Sequence, residues 1–284
     1  MRVFISADME GISGVTDNEF TSPGARDYER ARRLMTDDVN AAVEGALAAG
    51  ATEIVVNDSH GPMRNILIEH LHARARLISG SPKPLSMMEG ILGPGGRGAG
   101  EPGPAWDAAF FVGYHARAGT ENAILDHTWT GTIYGVWLNG VEVGEIGLNA
   151  ALAGAQGVPV TLVTGDDKAC AEARAILGEG VQTAQVKRAV GRYAADCVSL
   201  TDARRLIREA ALRAVTDASR VAPLRFDAPY TLRVGWGKTM YAEVAATVPG
   251  SRRVDGRQVE ITLDDMVDLY LAWRAFNSLA GTVS

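Results

Sequence analysis

The chain has 284 residues, of which 46% are hydrophobic and 22% charged, ordinary values for a globular protein with room for one large α/β domain or two modest ones. Its net charge of −6 and the absence of any Lys/Arg run interleaved with aromatics argue against a nucleic-acid surface. No apolar stretch reaches the roughly 18 residues of a membrane span, the N-terminus does not read as a signal peptide, and Cys170 and Cys197 are too few for a disulfide framework, so a cytoplasmic protein with small buried thiols is expected.

Val3, Phe4 and Ile5 begin a buried strand that ends in two carboxylates, Asp8 and Glu10, with glycines at 11 and 14. While the chain stays extended, residues 8 and 10 point the same way. Two like charges at the end of a hydrophobic strand repel each other, which is costly unless a cation lies between them. Taken alone, the pair reads first as a solvated acidic turn. After a polar loop at 11–26, the apolar residues Tyr28, Ala31, Leu34, Met35, Val39, Ala42, Val43 and Ala46 keep the stripe of a helix over 27–48, with Gly50 as its C-cap. A second apolar strand at 53–57 completes a βαβ unit and implies a parallel sheet. Asn57-Asp58-Ser59-His60 follows that strand, so His60 is expected on the same rim as Asp8 and Glu10.

A helical turn near 64–72 and a strand at 74–79 come next, then a glycine/proline loop at 90–104 that lacks the Lys-Ser/Thr ending of a phosphate-binding loop. The buried strand 108–115 runs straight into His115, and Asp126-His127 lies on the loop after it. Residues 129–143 alternate and turn at Asn139-Gly140, a hairpin signal, and Glu145 opens a small-residue helix at 146–156. The second half reads as strand 158–163, helix 167–177, strand 181–187, helix 201–217, strand 230–235, a helix near 239–246, strand 257–262 and helix 264–280, with Thr262 as the last N-cap. The expected class is α/β: a mostly parallel sheet flanked by helices, a metal site at the carboxyl ends of the first-half strands, and a second α/β lobe after about residue 157. The chain is read as one catalytic unit, 1–284, with lobes 1–156 and 157–284.

All five histidines precede residue 150. Asp8, Glu10, His60, His115 and Glu145 amount to three carboxylates and two imidazoles with no thiol, a set suited to catalytic zinc or manganese rather than a structural zinc knot. Five ligands exceed what one catalytic zinc usually takes, and a carboxylate bridging two metals fits the count better. Asp8, at the base of the rim, is the choice for the bridge. Each residue also has a plain reading: His60 as a helix cap, His115 as a core histidine, Glu145 as a first-turn charge. Their joint occurrence at strand ends in one half of the chain favours the metal. His70 and His72, beside Glu69 and Arg74, read as surface residues. His127 is either a loop residue without a role or a group that carries protons near the metal without binding it.

Ala7-Asp8-Met9-Glu10-Gly11-Ile12-Ser13-Gly14, Val56-Asn57-Asp58-Ser59-His60, Gly113-Tyr114-His115-Ala116-Arg117-Ala118 and Val143-Gly144-Glu145-Ile146-Gly147-Leu148-Asn149-Ala150 together resemble the DppA-type zinc D-aminopeptidases. Tyr28-Glu29-Arg30, Leu77-Ile78-Ser79-Gly80 and Gly165-Asp166-Asp167 match as well, and the resemblance runs from residue 1 to about 200. It implies that Asp8, Glu10, His60, His115 and Glu145 hold two Zn2+ per chain with Asp8 bridging, and that His127 is catalytic. It further implies removal of the N-terminal residue, a D-amino acid or a small one, from short peptides or amino-acid amides by a ring-shaped homo-oligomer. Two features depart from the family's pattern. The loop 91–104 is longer and richer in glycine, and Asp126 stands where a small polar residue is expected, which would raise the pKa of His127 if the carboxylate came close.

Two rival readings remain at this level. The same metal pair serves other amides or phosphoesters, although Arg117 is the one obvious cation near the motifs. A non-catalytic protein that keeps metal for stability would more often use cysteines. Mn2+ or Co2+ would fit these ligands as well as zinc. The expected partner is a short peptide, with no nucleic acid and no membrane.

Overall fold

In the computed structural model, which describes residues 1–93, 96 and 105–283, the chain begins with β1 (Arg2–Ala7), α1 (Asn18–Thr21), α2 (Tyr28–Ala48), β2 (Glu53–Asp58), β3 (Ala75–Ile78) and β4 (Ala108–Val112). Then follow the hairpin β5 (Ile133–Leu138) and β6 (Val141–Glu142), α3 (Glu145–Ala155), β7 (Val160–Asp166), α4 (Asp167–Leu177), β8 (Gln182–Gly191), β9 (Ala194–Cys197) and α5 (Leu200–Thr216). The last elements are β10 (Tyr230–Trp236), α6 (Thr239–Ala245), β11 (Arg252–Arg253), β12 (Gln258–Leu263) and α7 (Met266–Ala280). Most of the glycine/proline loop expected at 90–104 lies outside the described residues.

Seven strands in the order β3-β2-β1-β4-β7-β8-β9 form the main sheet, parallel throughout except for β9. This is the mostly parallel, helix-flanked sheet that the βαβ pattern implies. Its two faces follow from side-chain alternation. Val3, Ile5 and Ala7 of β1, with Ala108, Phe110 and Val112 of β4, pack under α2 and α5. Phe4, Ala109 and Phe111 point the other way, into a core shared with α3, α7 and a second sheet.

That second sheet is antiparallel, ordered β11-β12-β10-β5-β6. Its hairpin turns at Asn139 and Gly140, with φ of 48° and 81°, the left-handed pair that a two-residue turn needs. Strands from both sides of residue 157 occur in each sheet: β7, β8 and β9 extend the first, and β5 and β6 join the second.

Several local expectations change. Thr262 does not cap the last helix; it pairs inside β12 opposite Thr231. Asp265 is the cap, accepting from the backbone N–H groups of Val267 at 2.8 Å and Asp268 at 3.0 Å, as a carboxylate at that position can. Near 64–72, where a helical turn was expected, the chain turns at 68–70, and the Asp58 carboxylate takes the N–H groups of Asn65 and Ile66. The loop at 11–26 contains the one-turn α1, capped by Asp17. Both cysteines are free, but only Cys170 is buried; Cys197 is exposed on the edge strand β9. Among the described residues no helix is long and apolar enough to cross a membrane.

Candidate metal centre

Since β2, β1 and β4 are parallel neighbours, Ala7 pairs with both Asp58 and Val112 and the three strands stop at one edge. The chain beyond each strand stays tied to its neighbour: Asp8 N–H donates to Val112 O at 2.8 Å and Ser59 N–H to Ala7 O at 2.8 Å. Residues 8–12 do not remain extended. The chain turns, with Ile12 N–H donating to Met9 O at 3.1 Å and Gly11 N–H to Gly113 O at 2.8 Å, and this turn sets Glu10 beside Asp8. Two glycines permit the close approach. A Cβ on Gly11 would strike the Tyr114 carbonyl, and one on Gly113, which has φ of +74°, would strike Asp8 O.

The six residues singled out in the sequence all meet here. His60 Nδ1 is 3.3 Å from Asp8 Oδ1 and 3.0 Å from Glu10 Oε2. His115 Nε2 is 3.5 Å from Asp8 Oδ2 and 3.5 Å from Glu145 Oε1, while His127 Nε2 is 3.8 Å from Glu145 Oε1. Asp8 therefore turns one oxygen to each imidazole. The donor atoms fall into two groups, Asp8-Glu10-His60 and His115-His127-Glu145, each compact enough to hold an ion. His127 belongs to the second group by position, closer to it than its place on a separate loop suggested. Glu145 is delivered by the first residue of α3, behind Gly144, rather than by a strand end. His70 is exposed and His72 half-buried, away from the site.

The tautomers follow from the second ring nitrogens, since a carbonyl only accepts. His60 Nε2–H donates to Thr21 O at 2.8 Å, His115 Nδ1–H to Ala116 O at 3.0 Å and His127 Nδ1–H to Leu125 O at 2.7 Å. In the neutral rings the lone pairs of His60 Nδ1, His115 Nε2 and His127 Nε2 thereby face the carboxylates and the cavity, where a bound cation would take the place of a proton. Burial and the adjacent Glu10 push the Asp8 carboxyl up to about 7. Burial works against the charge of His60 and His115, yet Glu10 at the first and Glu145 at the second raise both well above the ordinary imidazole value. His127 goes the other way, lowered by burial and by His115.

Asp8 Oδ2 and His115 Nε2 are buried without a hydrogen-bond partner among the described residues. Native interiors leave few such atoms unsatisfied, and an acceptor pair facing each other at 3.5 Å is what a shared cation would satisfy. Three carboxylates and imidazole lone pairs, with no thiol, fit zinc in catalytic use.

Around the donors lies a cavity of about 260 Å³ whose apolar wall is Met63, Met87 and Trp129, with no Lys or Arg among the described residues that line it. Trp129 adopts φ of +68°, a conformation costly for a bulky residue, and its N–H donates to Glu145 Oε1 at 2.6 Å. Nothing in its sequence neighbourhood signals this role. Behind the rim, a buried chain of hydroxyls and an amide links Ser59, Ser6, Tyr114, Asn149 and Tyr270 at 2.7–3.0 Å. It ties the strand ends to α3 and α7. Arg117 faces away from the cavity and pairs with Glu142 at 3.1 Å. Asp126 does not approach the His127 ring: its carboxylate is taken by Arg192 and by Gly119 N–H. The expected upward pull on His127 is therefore absent.

Comparison with known proteins identifies the family. Residues 1–275 match a family model, peptidase M55, described as D-aminopeptidase. A D-aminopeptidase of Bacillus subtilis (strain 168) is 38% identical over 281 residues, 99% of this chain and 98% of the relative. A solved structure of the Zn-dependent D-aminopeptidase DppA from Bacillus subtilis, a self-compartmentalizing protease, superposes with a TM-score of 0.92 at 37% identity, covering 99% of this chain and 98% of that one.

Proposed function

This chain belongs to the peptidase M55 family of D-aminopeptidases, and from that premise we propose that it is a dinuclear zinc aminopeptidase acting on the N-terminal D-residue or small residue of short peptides and amino-acid amides. The observation that carries the reading is Asp8, with Oδ1 turned to His60 and Oδ2 to His115. Asp8, Glu10 and His60 would hold one zinc ion, and Asp8, His115 and Glu145 the other. When bound, paired zinc supplies Lewis acidity, polarising a scissile carbonyl and lowering the pKa of water.

The chain's own groups do the rest. Thr21 O and Ala116 O fix the ligand tautomers of His60 and His115. Trp129 N–H holds one oxygen of Glu145 in place. Burial disfavours charge on His127, and its Nε2 lone pair can take a proton in the cavity and return it to a leaving amine. Met63, Met87 and Trp129 give the small cavity a dry wall, which strengthens polar interactions inside it.

The whole chain, 1–284, acts as one catalytic unit in this reading, since both sheets border the shared core. By likeness to a relative described as self-compartmentalizing, it assembles as a ring-shaped homo-oligomer. The free, exposed Cys197 suits a reducing, cytoplasmic location. A cavity without Lys or Arg among its described lining disfavours phosphoester substrates. The test is to strip metal with a chelator and assay D- and L-aminoacyl amides beside aryl phosphates. Loss of D-aminoacyl amide cleavage and its return on adding zinc are expected; full activity in the stripped chain would overturn the reading.

A further inference from the structure

Lys187, on β8, is 1% exposed, and a charge in that setting is costly unless its protons are met. All three are met by main chain: Nζ donates to Glu10 O at 2.6 Å, Ile12 O at 2.9 Å and Val15 O at 2.6 Å. These carbonyls come from the turn that follows β1, so one ammonium gathers the residues between Glu10 and Val15 around a single point. The other side of the turn is held by Asp38, which accepts from Ser13 N–H at 2.9 Å and Ser13 Oγ at 2.8 Å. The neighbours Ala184 and Val186 on β8 are fully packed in the apolar core. An apolar residue at 187 would satisfy packing; it would take the ammonium donor from Glu10 O and Val15 O, leave Ile12 O with Val15 N–H alone, and leave the turn without its anchor.

The anchor matters because of what the turn carries. Glu10 stands beside Asp8 against mutual repulsion, and both carboxylates face His60. A free turn would relieve that repulsion by swinging Glu10 outward. The Lys187 bond to Glu10's own carbonyl opposes this motion at the residue itself. We propose that Lys187 is a positioning residue, which holds the Glu10 carboxylate at the zinc site it shares with Asp8 and His60. The inference rests on the assignment of Glu10 as a zinc ligand made above.

The test is the zinc affinity of the folded, metal-free chain, measured by competition with a chromophoric chelator, for wild type, Lys187→Met and Lys187→Gln. Second-sphere losses of this kind weaken metal affinity by roughly 10- to 100-fold. Lys187→Met is expected to lose that much at one of the two zinc equivalents, with the other changed less and Lys187→Gln, which keeps two donors, in between. A lysine that serves packing alone would lower the melting temperature of the metal-free chain and leave zinc affinity unchanged. Equal affinity in wild type and a folded variant overturns the inference alone. A wild-type chain that takes up no zinc overturns the ligand assignment and the inference with it. Failure of both variants to fold would assign Lys187 to the core and also overturn the proposal.

Discussion

His115 and His127 lie face to face, with ring centroids 4.0 Å apart and planes 14° from parallel. In the metal-free chain these two stacked imidazoles compete for one positive charge, and the carboxylates decide the outcome. Glu145 and Asp8 favour charge on His115 in spite of its burial, whereas burial and His115 itself disfavour charge on His127. His127 is left as the neutral partner with its Nε2 lone pair directed at the cavity.

Replacing His127 with Ala is expected to cost roughly 100- to 10,000-fold in kcat, the usual contribution of a positioned acid–base group. Zinc content is expected to stay at the wild-type value, because Asp8, His115 and Glu145 remain. Steady-state kinetics with metal analysis checks both. An unchanged kcat would remove His127 from the reaction, and a lost zinc ion would make it a ligand.

Arg192, at the tip of the β8–β9 hairpin, clamps the loop that carries His127. It donates to Asp126 O and to the Asp126 carboxylate, and its own carbonyl accepts Leu125 N–H at 3.0 Å. Leu125 O in turn orients His127 Nδ1 at 2.7 Å. Arg192→Ala should therefore lower kcat by roughly tenfold through misplacement of the imidazole, with zinc content intact. Wild-type turnover in that variant would show that the loop holds its shape unaided.

Asp38 gives a pH-dependent prediction. Burial raises its carboxyl from 3.8 to about 6, against the lowering effect of the Ser13 hydrogen bonds. Between those values the folded chain binds a proton that the unfolded chain releases, so this group's contribution to stability falls as pH rises and is lowest above about 6. In Asp38→Asn the amide oxygen keeps the Ser13 bonds without the titration. Denaturant unfolding of both metal-free chains should show the Asn variant gaining on wild type by on the order of 2–3 kcal/mol between about pH 4 and pH 7. Effects of other groups cancel in the difference. A difference that does not change with pH would contradict the raised value.

What was legible in the sequence is what local pattern and chain order encode. Asp8 and His115 close apolar runs and His60 comes four residues after one, and a βαβ unit places such ends on one rim. The second sheet was not read as antiparallel, although β10 and β12 alternate where β1, β2 and β4 are continuous apolar runs, because its strands pair across long chain separations. The short edge strands β9 and β11 carry too few apolar residues to show a period. Lys187 sits between Val186 and Arg188 in a strand whose alternation says nothing of a buried ammonium. Its role depends on a turn that folds over it from the far end of the chain. The conformation of Trp129 and the embrace of Asp126 by Arg192 are likewise tertiary facts, fixed by loops that no periodicity describes.

The central claim is that five side chains hold two zinc ions with Asp8 between them, and a crystal structure of the zinc-loaded chain with anomalous-scattering maps tests it most directly. Two peaks are expected, each about 2.0–2.3 Å from its donors. One should be bound by Asp8, Glu10 and His60, and the other by Asp8, His115 and Glu145. A single ion, or His115 and Glu145 turned away from any peak, would contradict it.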